Sequence, residues 1–146
     1  MTLGPQLVRT ALAVRRHPTA SRAELKAFQD AQLRRLVVHA YESVPYYRKL
    51  FDRHRLHPRH IRGTVDLDLI PISSKQDYQG RTASDLITRG MDQAKLLSVH
   101  TNGSTGEPLI VRRTWEEQGF NMMFRERSWR AFGLGLNELT ATVGQR

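Results

Sequence analysis

Between Val99 and Pro108 the chain reads Val99-His100-Thr101-Asn102-Gly103-Ser104-Thr105-Gly106-Glu107-Pro108. No other stretch has a composition that so directly suggests chemistry. Gly103 and Gly106 allow backbone conformations that turn successive amides inward, and the hydroxyls of Thr101, Ser104 and Thr105 add donors, a combination suited to phosphate oxygens. It is an anion cradle without a cation. The common nucleotide P-loop needs a lysine after its last glycine and a helix directly behind, whereas here Glu107 and Pro108 follow, and then an extended stretch. The same residue types also dominate plain hairpin turns for conformational reasons, and local composition leaves the two readings level.

Other candidate chemistry is weaker. His54, His57 and His60 recur every three residues and invite a metal reading, but Pro58 breaks the helix that would align them and no carboxylate or thiolate completes a set. No metal ligand and no catalytic residue is assigned. The absence of cysteine excludes disulfide frameworks, iron–sulfur clusters and a thiol nucleophile. The formal charge is +9, and it is lopsided: residues 1–60 hold 12 Lys/Arg against four Asp/Glu, residues 61–146 hold 11 against 10. Nucleic-acid binding would want those charges on one face with base readers among them. Arg34, Arg35, Arg48, Lys49, Arg53 and Arg55 instead occupy positions that make ordinary solvated helix faces, so no specific nucleic-acid partner is expected.

These residues need elements to hold them. Residues 2–18 carry a short apolar pattern (Leu3, Leu7, Ala11, Leu12) that predicts a loosely packed helix within a basic segment at residues 1–20. Ser21 and Glu24 stand at capping-box spacing before Leu25, Phe28, Leu33, Leu36, Val37 and Ala40, which predict an amphipathic helix. Pro45 suits the first turn of a second helix with Tyr46, Tyr47, Leu50, Phe51 and His54 as its stripe. Thr64 is expected to cap a short turn through Leu69, and Ser74 with Asp77 forms another capping box. Further on, residues 95–101 and 109–114 predict strands flanking the glycine loop. Thr114 and Glu117 cap a helix over residues 115–132 that Gly133 closes, and residues 139–143 predict another strand. Trp115, Met122 and Trp129, seven apart, are expected to pack in the core. At 146 residues with 39% hydrophobic content the chain has material for about one modest core. No stretch approaches a membrane span, and a soluble cytoplasmic protein is expected.

The loop resembles the phosphate-binding loop of adenylate-forming enzymes, Thr-Ser-Gly-Ser/Thr-Thr-Gly-x-Pro. The chain around it resembles their phenylacetate–CoA ligase-like branch, which includes capsular-polysaccharide CapK-type proteins. Val44-Pro45-Tyr46-Tyr47-Arg48, then Leu69-Ile70-Pro71-Ile72-Ser73-Ser74-Lys75-Gln76-Asp77, then the loop, follow in the order of that branch, and the likeness extends through Arg130-Ala131-Phe132-Gly133-Leu134. Asn102 departs from the usual serine, and Leu109 follows the proline where many wider relatives have lysine. The resemblance implies that Thr101, Asn102, Gly103, Ser104, Thr105 and Gly106 form the nucleotide-binding loop, with ATP, magnesium and coenzyme A as cofactors and a small carboxylic acid as substrate.

It also implies an α/β fold: residues 21–146 would be the N-terminal portion of the large AMP-binding domain, with helices over 21–93 and strand, phosphate loop, strand and helix over 94–146. Members of the family are much longer, and the motifs that read the base and complete adenylation lie beyond this segment. The isolated chain is therefore expected to be inactive, with an apolar face exposed where a downstream complementing chain would dock. The contrasting expectation is a noncatalytic remnant or basic partner-binding module, with a link to capsular polysaccharide synthesis.

Overall fold

A computed structural model describes residues 20–101 and 108–133. The helix expected at 2–18 and the strand expected at 139–143 lie outside them, as do Asn102, Gly103, Ser104, Thr105 and Gly106.

The first half is helical. Helix α1 (Arg22–Ser43) starts at the capping box: the Glu24 N–H donates to the Ser21 hydroxyl (3.3 Å), and the Glu24 carboxylate accepts from the Ser21 N–H (2.8 Å). Val44 breaks the helix in an extended conformation, and α2 (Pro45–Arg53) begins with proline at its first position, where the missing N–H is no loss. Helix α2 ends in a Schellman turn. The Leu56 N–H donates to the Phe51 carbonyl (2.9 Å), the Arg55 N–H to the Asp52 carbonyl (3.0 Å), and Arg55 takes the left-handed conformation at φ 53°. The apolar contact such turns favour brings Leu56 and Phe51 together, and with Val37 and Ile61 they form the buried core.

Two 3₁₀ turns, Pro58–His60 and Thr64–Leu69, carry the chain back along α1. His57 and His60 are spent on the first: the His57 ring accepts from the Arg59 N–H (3.2 Å) and the His60 ring from the His57 N–H (3.2 Å). The second departs from expectation. Gly63, not Thr64, is its cap, and the Thr64 N–H (2.7 Å) and hydroxyl (2.8 Å) both donate to Asp30 on α1. The competing carboxylate is 34 residues away, beyond any local pattern. Short helices α3 (Lys75–Tyr78) and α4 (Ala83–Leu86) follow, α3 with its expected box closed by the Asp77 carboxylate, which accepts from the Ser74 N–H (2.7 Å) and hydroxyl (2.8 Å). The Arg89 N–H donates to the Ser43 carbonyl (2.8 Å) and ties the segment after α4 to the end of α1.

After a 3₁₀ turn at Gln93–Lys95, strands β1 (Leu97–His100) and β2 (Ile110–Arg113) pair antiparallel with Leu97 opposite Arg113 and His100 opposite Ile110. Helix α5 (Trp115–Ala131) follows, boxed by Thr114 and Glu117 (3.1 and 2.6 Å) and closed by Gly133 at φ 79°. The fold is thus mixed α/β, with a helical first half and then a two-stranded sheet.

The expected burial fails at several apolar positions. Trp115 and Met122 are 68% and 53% exposed, so they are not core residues, and only Trp129 of that set is partly buried. On α1, Phe28 and Leu36 are also exposed, and Val37 is the buried position of that stripe. Helical spacing identifies an apolar line, but burial requires an opposing layer, and spacing alone does not say whether one is there.

Candidate functional site

The site is built from the ends of the two strands. One step beyond the His100–Ile110 pair, the Thr101 N–H donates to the Leu109 carbonyl (3.0 Å) and the Leu109 N–H donates to the Thr101 hydroxyl (3.0 Å). This reciprocal pair fixes the separation and direction of the two ends from which residues 102–107 depart. A hydroxyl that accepts one hydrogen bond can still donate its own proton, and among the described residues the Thr101 hydroxyl is shown only as an acceptor. Of the six residues expected to form the loop, Thr101 alone lies among the described residues.

On the helical side of the hairpin lies a cleft of about 360 Å³, walled by Val44, Leu86, Ile87 and Met91 on one side and by Leu109 and Val111 on the other. Sequence reasoning did not single it out, because its walls are brought together by the return of the chain from α4 to β1. Tyr47 and Tyr78 line it as well, and their hydroxyls are 3.2 Å apart, with the Tyr78 hydroxyl also bonded to that of Ser73. Burial, reinforced by the Tyr78 hydroxyl, pushes the Tyr47 phenol up, so it stays neutral at physiological pH. Across from them, Arg112 carries a buried Nε–H without a hydrogen-bond partner among the described residues. The cleft thus combines apolar walls, a short hydroxyl chain and one unpaired donor.

Several basic residues are engaged within the fold. Lys49 pairs with Asp85 (3.3 Å), Arg48 lies over the Tyr41 ring (5.1 Å), Arg81 over Tyr46 (4.6 Å), and Arg34 donates to the Arg62 carbonyl (2.5 Å). Exposed pairs of this kind contribute little stability, but they distribute the cations among separate contacts. No helix among the described residues is long and apolar enough to cross a membrane.

No protein-family model matches the chain. Among curated proteins it is 36% identical over 116 residues to the phenylacetate-coenzyme A ligase of Escherichia coli (strain K12), covering 79% of this chain and 26% of that protein. It is 36% identical over 97 residues to the phenylacetate-coenzyme A ligase of Thermus thermophilus, covering 66% and 21%. With the phenylacetate-coenzyme A ligase of Aromatoleum evansii it shares 35% identity over 115 residues, 78% of this chain and 26% of that one. By sequence the chain is a homologue of the phenylacetate-coenzyme A ligases and spans about a quarter of the length of these curated relatives.

Proposed function

We propose that this chain supplies the N-terminal portion, residues 21–146, of an adenylate-forming ligase, and that Thr101, Asn102, Gly103, Ser104, Thr105 and Gly106 grip the triphosphate of ATP. The reading draws its main support from the reciprocal Thr101–Leu109 bonds, which bring together the two strand ends that flank the glycine- and hydroxyl-rich residues 102–107 in the sequence. Such a segment can close over an anion and release it. In the reaction a carboxylate oxygen bonds to the α-phosphorus as the bond to the bridging oxygen breaks and pyrophosphate leaves; a coenzyme A thiol then displaces AMP to give a thioester. Amides and hydroxyls aimed at the departing phosphates stabilise the charge that develops there. Thr101, whose hydroxyl can donate as well as accept, fits that task. Among the described residues no three His, Asp or Glu side chains come together as a metal-binding set, so none of them is assigned to magnesium.

Positioning both substrates accounts for much of the rate enhancement in such a reaction, and a segment spanning a quarter of its relatives has few groups for it. The chain alone is proposed to be inactive. The test is carboxylate-dependent exchange of pyrophosphate into ATP, measured on the E. coli relative with its matched segment replaced by that of this chain. Exchange is expected in the graft, with a fall of about 100-fold or more when Ser104 and Thr105 are both changed to Ala. A folded graft without exchange, or exchange unaltered by the double substitution, overturns the reading and favours a noncatalytic remnant.

A further inference from the structure

The outward half of α5 exposes several large apolar side chains, and its composition is that of an interface. Trp115 and Met122 lie along one edge of it, Phe124 along the other, and all three are at least half exposed. Between them is a hollow of about 350 Å³ lined by Arg113, Gln118, Asn121, Arg125 and Ser128. Its polar groups are divided unequally. Asn121 donates to the Glu117 carbonyl (3.1 Å), Ser128 donates to the Phe124 carbonyl (3.2 Å), and Arg125 lies over the Trp129 ring (5.4 Å). Gln118 Oε1, however, is buried and accepts from no group among the described residues. A buried acceptor without a donor costs free energy. Aromatic rings, methionine and arginine together are the residue types concentrated in protein interfaces, and an apolar patch of this kind on a small fold marks a contact surface.

We propose that this face of α5 is an internal docking seam for the remainder of the ligase polypeptide, the three-quarters of the relatives' length that the chain does not span. The proposal rests on reading the chain as the N-terminal portion of such a ligase. One further feature defines the occupant: it carries acidic or carbonyl groups opposite Arg113 and Arg125, between apolar contacts for Met122 and Phe124. A second copy of the same face would oppose arginine to arginine.

The test mixes the purified full chain with the E. coli relative lacking its matched segment, and follows the complex by sedimentation velocity and by acrylamide quenching of tryptophan emission. A one-to-one complex with reduced quenching is expected, weakened more than about tenfold by Met122→Glu or Phe124→Glu. Both side chains are exposed in the free chain, so these variants keep its circular dichroism. Because the truncated relative can itself fail to fold, the graft described above serves as a second measurement: Met122→Glu should lower its melting temperature while leaving that of the free chain unchanged. A homodimer that shields the tryptophans, a complex indifferent to both variants, or a graft whose melting temperature is unmoved by Met122→Glu overturns the proposal. A complex that forms while pyrophosphate exchange is absent would retain the docking seam and discard the phosphate loop.

Discussion

The Asp30 carboxylate joins α1 to the turn that follows Gly63. It accepts from Lys26 (2.7 Å) and from the N–H and hydroxyl of Thr64, and a methyl group placed on Gly63 would sit 2.6 Å from its Cγ. The carboxylate is held from three directions and cannot swing away. Gly63→Ala is therefore expected to destabilise the fold by about 1–3 kcal/mol, the usual cost of overpacking, read as a lower urea midpoint. The Lys26 bond first, then the two Thr64 donors, hold the Asp30 carboxyl below the usual carboxylate range. A depressed folded value means the stabilisation is full above the unfolded value of about 3.9 and is lost as pH falls below it. Asp30→Asn should lower the urea midpoint at pH 7 and flatten its decline with acid, so that the two proteins converge at low pH. None of this was legible in the sequence, which shows Thr64 as a local cap; Asp30 is too distant along the chain to reveal its competing role.

At the scale of elements, local signals carried further. Ser21 with Glu24, Ser74 with Asp77, Thr114 with Glu117, and Pro45 each marked a helix start that the structure contains, because capping is settled within four residues. Ser21→Ala should cost about 1 kcal/mol, seen as a lower melting temperature. The Schellman turn after α2 yields the opposite prediction. Arg55 occupies the left-handed position at φ 53°, where a β-carbon is unfavourable by roughly 1–2 kcal/mol and glycine is at ease. Arg55→Gly is expected to raise the urea midpoint, a gain that loss of a core contact could not produce. The strands expected over residues 95–101 and 109–114 were likewise legible, since alternation of Leu97 and Val99 with Ser98 and His100 is a period-two pattern. The exposure of Trp115 and Met122 was not, because periodicity says which side chains share a line and nothing about what lies opposite.

For the molecule as a whole, the described core is small: Val37, Phe51, Leu56 and Ile61, with Leu33, Tyr41 and Ile70 packed around them. Phe51 bridges α2 and the Schellman turn, and Phe51→Ala should cost about 3–5 kcal/mol, a large share of the roughly 5–15 kcal/mol of an ordinary fold, read as a much lower melting temperature. The hairpin and α5 stand across the cleft from this core, with Arg112 and Gln118 each keeping a buried polar atom unpaired among the described residues. Those orphaned atoms and the exposed apolar side chains of α5 agree with the homology over a quarter of a longer ligase. In the chain's own sequence the order of the motifs around residues 101–108 was readable, while the cleft depends on contacts between distant segments.

The central claim, that the hydroxyl-rich loop between β1 and β2 holds the phosphates of a nucleotide, is tested most directly by titrating ATP into the ¹⁵N-labelled chain and following its amide resonances. Saturable shifts at Gly103, Ser104, Thr105 and Gly106, abolished by Ser104→Ala with Thr105→Ala, are the predicted result. Shifts confined to the arginine-bearing helices, with these four amides unmoved, would contradict it.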